Sequence, residues 1–296
     1  MEQVQPNKAF FWGILLNTIY IIAEVAFGIG IGSVALVADA VHNLGDVLGL
    51  GLAWFADWLS GRHPTVERTY GYKSSSILAA LANAAFLLVA MGAIIVEAVT
   101  RLSQNAPVEG GWMMLVAGVG IIVNGATALL FHGGSQHDLN IRGAFMHMAA
   151  DAGVSLGVVL AGGLILLTGW EWLDPVMSIL VAIVVLVGTW NLLRDAVNLA
   201  MAAVPKDIDP VAVKKLVNAY PTVASCHDLH IWALSTTDVA LTVHVVRTTT
   251  VGNDDFLDAL SLSLRESFDI AHTTIQVEYG PYEPQNRWRT LINQAI

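Results

Sequence analysis

Six long apolar runs constrain this chain more than any other feature. They cover about residues 9–31, 34–59, 76–100, 112–132, 141–168 and 173–201. A helix needs roughly 20 apolar residues to cross the hydrocarbon core of a bilayer. Each run is long enough, so the pattern predicts six transmembrane helices. The breaks hold turn residues: Gly30 to Ser33, Gly61, Pro64 and Gly71, Pro107, Gly133 to Ser135, and Gly169. The first run is too long for the core of a signal peptide, and only Lys8 precedes it as a basic residue, so it reads as a retained span.

Charge divides the chain. Residues 1–204 hold 7 Lys/Arg and 13 Asp/Glu, whereas the 92 residues from 205 hold 7 and 11. The expected organisation is a membrane domain over 1–204, a polar domain over 205–286 and a tail over 287–296. The net charge of -10 argues against nucleic acid as a partner. The lone Cys226 excludes an intramolecular disulfide and a cysteine-based zinc finger. Arg62, Arg68, Lys73 and Arg142 lie in the second and fourth connections, and Arg194, Lys206, Lys214 and Lys215 follow the sixth span. The positive-inside rule then puts both termini in the cytoplasm, as an even number of spans requires.

The polar segment reads as αββαβ. A helix is expected over Asp209–Tyr220, strands over Val223–Leu234 and Val239–Arg247, a helix over Asp254–Phe268 and a strand over Thr273–Tyr279. That order suggests a small ferredoxin-like, metallochaperone-like sandwich.

Two spans carry the same ionisable pattern. The second has His42 and Asp46, the fifth His147 and Asp151, each pair as His-x-x-x-Asp. Residues i and i+4 share a helix face. Two such helices side by side would offer two nitrogens and two oxygens around one point, a donor set suited to tetrahedral zinc. Chance predicts about 0.5 such pairs in the whole chain, and fewer in apolar spans where ionisable groups are costly. Gly45 with Gly49 and Gly153 with Gly157 are expected to let these two spans approach closely. Asp39 returns to nearly the same face as Asp46 and could orient His42 or relay protons. Glu24 has no evident local partner, whereas Glu97 and Arg101 are spaced for an ion pair. His63 and Glu67 share the spacing but sit in a charged loop and read as solvated surface.

Several segments together resemble the cation diffusion facilitator family. Gly32 to His42 followed by Asp46 is similar to the family's second-span signature. Tyr70-Gly71-Tyr72 with Ile77 to Leu81 resembles the start of its third span. His137 to His147 resembles its fifth, and His227 to Leu234 the first strand of its cytoplasmic domain. The resemblance covers roughly Ala9 to Pro284. It implies six transmembrane helices with a metallochaperone-like domain, assembled as a homodimer in a lipid bilayer, with a bacterial inner membrane the expected location. It implies a secondary transporter, not an enzyme, that exports a divalent cation in exchange for H+.

Carried over, the transport site is His42, Asp46, His147 and Asp151, and histidine at position 42 points to the Zn2+ branch, with Cd2+ and Co2+ as further substrates. The same resemblance makes His227, His244, His272 and Glu278 candidate regulatory zinc ligands in the cytoplasmic domain. Strand alternation sends Cys226 and His230 to the other face. The fourth connection has only His132 and His137, which makes a metal-capturing loop doubtful, and Tyr72 stands where some members have histidine for a further site. The alternative is a membrane-bound zinc sensor that binds without transporting.

Overall fold

The computed structural model of the chain describes residues 6–104, 107–132 and 139–280, with side chains described within 15–129 and 145–280 apart from 57, 105 and 106. The expected tail over 287–296 and His137 lie outside the described residues. Six long helices come first: α1 (Pro6–Ile31), α2 (Val34–Ser60), α3 (Ser75–Gln104), α4 (Gly110–His132), α5 (Leu139–Thr168) and α6 (Leu173–Ala200). Five of them are long and apolar enough over their described residues to cross a membrane, and Leu15–Ile31 of α1 is a shorter apolar stretch. The expected spans and these helices agree to within a few residues.

The chain divides into two compact units, one of residues 1–52 with 82–193, the other of residues 53–81 with 194–296. The first unit has a core of apolar side chains, among them Ala35, Leu36, Met91, Met113, Val158 and Val181. Its outer surface is apolar too: Ile22 is 65% exposed and Leu167 83%. A surface of that kind is stable only when hydrocarbon covers it.

Polar groups inside this unit act as fasteners. Asp174, fully buried at the start of α6, accepts from Ser33 Oγ at 2.5 Å, Val34 N at 2.9 Å and Ala35 N at 3.3 Å. A carboxylate thus satisfies the orphan amides at the N-terminus of α2 and faces the positive end of its dipole. Arg101 pairs with Glu97 at 2.7 Å, as its spacing predicts, and also donates to the carbonyl of Gly32.

The glycine expectation is met differently. A Cβ on Gly45 would stand 2.2 Å from Leu87, and one on Gly49 2.8 Å from Asn83, so this stripe receives α3. Gly157 faces Met177 of α6 and Gly153 faces open space. The tightest approach to α5 comes from α4, where a Cβ on Gly110 would stand 2.6 Å from the carbonyl oxygen of Gly162. What ties α2 to α5 is polar: Ser155 Oγ donates to Asp39 Oδ2 at 3.1 Å.

In the second unit, α7 (Pro210–Ala219), β1 (Val223–Ala233), β2 (Val239–Arg247), α8 (Asn253–Phe268) and β3 (Ile270–Glu278) follow in the expected order. Asp209 caps α7, accepting from Val211 N at 2.9 Å, and Pro210 takes the first helical position, where its missing N–H costs nothing. The sheet order is β1-β2-β3, antiparallel then parallel. One sheet face, with Leu229, Ile231, Leu241, Val243 and Val245, forms a core with Val213, Val217, Phe256, Leu260 and Leu264 of the two helices. The other face carries the histidines.

Candidate metal centres

The periodicity of α2 and α5 brings the two His-x-x-x-Asp pairs together. His42 Nε2 lies 3.8 Å from Asp46 Oδ2 and 3.3 Å from Asp151 Oδ1. His147 Nε2 lies 3.2 Å from the same Asp46 oxygen and 3.7 Å from Asp151 Oδ2. Imidazole and carboxylate therefore alternate around a ring of four, and the two imidazole centroids stand 6.1 Å apart, edge to face. Four donors at about 2.0–2.1 Å from a tetrahedral zinc would stand about 3.3 Å from one another. The observed His–Asp separations bracket that edge. His42, Asp46 and Asp151 form the tightest triple, with ligand atoms all within 4.8 Å of one another. His147 closes the ring from its more open side: its side chain is 45% exposed against 3% for Asp151.

A buried polar seam runs behind the ring. Tyr20 Oη donates to Glu24 Oε1 at 2.7 Å, and Asn43 Nδ2 reaches Glu24 Oε2 at 3.5 Å. Glu24 thus has a local partner, four residues earlier, where none was expected. The signal was available, because Tyr20 and Glu24 share a helix face. Asn43 had no such signal, since its neighbour comes from another helix. Asp39 is fully buried and accepts a hydrogen bond from Ser155 Oγ of α5, one turn beyond Asp151.

The second cluster lies on the open face of the sheet. His227 and His244 are cross-strand partners with ring centroids 5.1 Å apart. Glu278 reaches both, with Oε2 3.3 Å from His227 Nε2 and Oε1 2.7 Å from His244 Nδ1. His227, His244 and Glu278 make a second triple able to hold an ion. Two nitrogens and a carboxylate are a donor set suited to zinc, leaving a fourth position for a further ligand.

His272 is not brought into this cluster. It pairs with Ala240, six residues before Glu278 on the same strand, a span of about 20 Å. Its ring lies edge to face on Tyr70, with centroids 5.3 Å apart. Shared parity gave the right face and hid the distance.

Two polar groups were missed. Asp228 has a positive φ of 53°, and the β1–β2 register shifts between His227 and His230. Aspartate tolerates that conformation better than most residues. The bulge resets the alternation, so His230 returns to the open face, opposite Thr242. Asp228 then bridges, with Oδ2 3.6 Å from His244 Nε2 and Oδ1 3.4 Å from His230 Nε2. Cys226 points into the core as expected, and burial pushes its thiol pKa up.

Membrane helices enclosing a ring of metal donors, joined to an α/β domain, define a class: helical membrane proteins that handle metal cations. Profiles for the cation efflux transmembrane domain and the cation efflux protein cytoplasmic domain match residues 10–199 and 205–279. The chain belongs to the cation efflux, or cation diffusion facilitator, family.

Three relatives are instructive. It is 38% identical to the metal cation efflux system protein CzcD of Cupriavidus metallidurans, over 90% of this chain and 85% of that one. It is 37% identical to the zinc transporter ZitB of Escherichia coli, over 88% and 84%. It is 34% identical to a cadmium, cobalt and zinc/H(+)-K(+) antiporter of Bacillus subtilis, over 95% and 91%. A solved structure of the metal-bound C-terminal domain of the CzcD transporter is 47% identical over 24% of this chain and 99% of that one, with a TM-score of 0.23.

Proposed function

We propose that this protein exports Zn2+ from the cytoplasm in exchange for protons, with Cd2+ and Co2+ as further substrates, through His42, Asp46, His147 and Asp151. The observation that carries this reading is the ring of alternating imidazoles and carboxylates at tetrahedral spacing, inside helices that otherwise exclude charge. The relatives' names support the metals and, for the Bacillus subtilis protein, the exchange against protons.

The chemistry is competition for lone pairs. Zinc binds neutral imidazole and ionised carboxylate, so loading releases protons and proton arrival releases zinc. Each form neutralises the donor ring, and a bare pair of carboxylates would be costly in the membrane. Alternating access exposes the ring to one side at a time, and the ion each side supplies sets the direction of transport.

The same reading gives the sheet cluster a regulatory role. His227, His244 and Glu278 would hold zinc in the cytoplasmic domain, within a homodimer whose termini both face the cytoplasm of a bacterial cell. We place the domain boundary near residue 204, a choice supported by profiles that end at residue 199 and begin at residue 205. A zinc-loaded cytoplasmic domain would raise the transport rate when cytoplasmic zinc is high.

The test is zinc flux into proteoliposomes under an imposed pH gradient. The parent protein should concentrate zinc against its gradient, and Asp151→Ala and His42→Ala should fall to the level of empty liposomes. Zinc binding with no flux under any gradient would instead favour the sensor.

A further inference from the structure

The seam behind the ring contains an acid pair. Glu24 of α1 and Asp39 of α2 are both fully buried, and their carboxyl groups hydrogen-bond to each other. Two ionised carboxylates have no hydrogen to share, so the contact requires a proton on one of them. No amide, hydroxyl or imidazole among the described residues donates to Asp39 Oδ1. The groups that act on Glu24 are Tyr20 from its own helix and Asp39 and Asn43 from α2, and none of these is a cation that could replace the proton. The charges of His42 and Asp151 act on Asp39, which stands one turn before His42 on α2 and accepts from Ser155, one turn after Asp151 on α5.

Tyr20 carries the seam to α4. Its hydroxyl donates to Glu24 Oε1 at 2.7 Å. A Cβ on Gly120 would stand 2.3 Å from that hydroxyl and 3.1 Å from Ser155 Oγ, so the glycine is the gap that both hydroxyls enter. Asn124 follows one turn later on the same face of α4. It is fully buried, and neither atom of its amide meets a partner among the described residues. A buried amide with nothing to bond is costly in a membrane, and, as donor and acceptor at once, it is suited to order a water molecule. With six spans and cytoplasmic termini, α4 runs toward the cytoplasm. Asn124 therefore lies about 6 Å beyond Gly120 on the cytoplasmic side.

The acid pair adjoins the ring at one end, and the stripe points to the cytoplasm at the other. Chains of acids and other polar groups inside spans are costly and mark proton routes. The metal has a different way in. The ring is open at His147, whose side chain is 45% exposed. Tyr20, Glu24, Asp39 and Asn124 are each 4% exposed or less.

We infer that protons displaced from the ring leave by a path of their own, through Asp39, Glu24, Tyr20 and Asn124, into the cytoplasm. This rests on the reading of the ring as a proton-coupled zinc site. Zinc loading from the cytoplasm frees a proton, and Asp39 takes it. The pair now holds one proton too many. The Tyr20 hydroxyl swings from Glu24 to the water at Asn124, gives its hydrogen there and takes the surplus proton from Glu24. No tyrosinate forms, and the pair is left with one proton as before.

Two zinc fluxes separate this path from the metal site. Proteoliposomes of the full-length chain are assayed for zinc uptake driven by a pH gradient. They are also assayed, at equal pH on both sides, for exchange of labelled zinc against internal zinc, which needs no net proton movement. Glu24→Gln keeps the shape of the side chain and removes its exchangeable proton, and Tyr20→Phe removes only the hydroxyl. Each should lower gradient-driven uptake at least about tenfold and leave zinc-for-zinc exchange at the parent's rate. Glu24→Asp should recover part of the uptake. Unchanged uptake in either variant would overturn the path. Loss of both fluxes together would also overturn it, because the seam would then be a structural support and nothing more. Asp151→Ala is measured in parallel: if it keeps either flux, the reading of the ring fails, whatever the seam variants show.

Discussion

At the scale of single residues, the ring of His42, Asp46, His147 and Asp151 was legible because its signal is local twice over. His42 with Asp46 and His147 with Asp151 are each one helical turn apart, and apolar surroundings make each pair conspicuous. In the seam behind it only the Tyr20–Glu24 pair was legible, because Asn43 and Ser155 find their partners across helices. His230 and Asp228 were missed for a different reason: one positive φ inside a strand inverts every parity argument beyond it. Two predictions belong here. Zinc binding by the sheet cluster, measured by titration calorimetry on full-length Asp151→Ala protein, should weaken by at least about tenfold as the pH is lowered from about 7.5 to about 5.5, since protons compete with the ion for the imidazole and carboxylate lone pairs. Cys226 should react slowly with a maleimide at pH 7 in the folded protein and quickly in denaturant, because burial both shields the thiol and disfavours its thiolate.

At the scale of elements, hydrophobic length set the spans, and their bounds survive with small shifts. Which helix lies against which was harder to read. Gly45 and Gly49 announce a close neighbour without naming it, and that neighbour is α3. Replacing Gly45 by valine should force Leu87 aside and cost about 1–3 kcal/mol by overpacking. The amide cap that α6 lends to α2 was invisible in sequence, since Asp174 and Ser33 are 141 residues apart. Asp174→Ala should leave those amides without an acceptor and destabilise the protein by about 1–3 kcal/mol. Thermal unfolding in detergent checks both, and Asp174→Asn should recover part of the second loss.

At the scale of the whole molecule, the polar segment's αββαβ order was legible because each strand and helix has its own periodicity and turn. The adherence of residues 53–81 to that segment was not. It depends on Lys73, Ser74 and Ser76 meeting groups about 160 residues later, and nothing in a charged loop foretells that. On the proposed reading of the two clusters, metal and stability are linked. Zinc at about a hundred times its dissociation constant should stabilise each occupied site by about 2.7 kcal/mol. Unfolding with and without a chelator should show that gain in the parent, a smaller one in Asp151→Ala, and none when His244→Ala is added.

The buried carboxylate at the head of α2 also has a mechanical side. Asp174 clamps the rod at Val34, while the ring donors sit 8 to 12 residues along and the last residue, Ser60, 26 along. At 1.5 Å per residue these lie about 12–18 Å and about 39 Å from the clamp. A tilt of about 10° about that point would move the donors by about 2–3 Å and the far end by about 7 Å. Near the clamp the travel is short: His42 and Asp46 shift by a distance comparable to one coordination bond, enough to open or close the spacing of the ring.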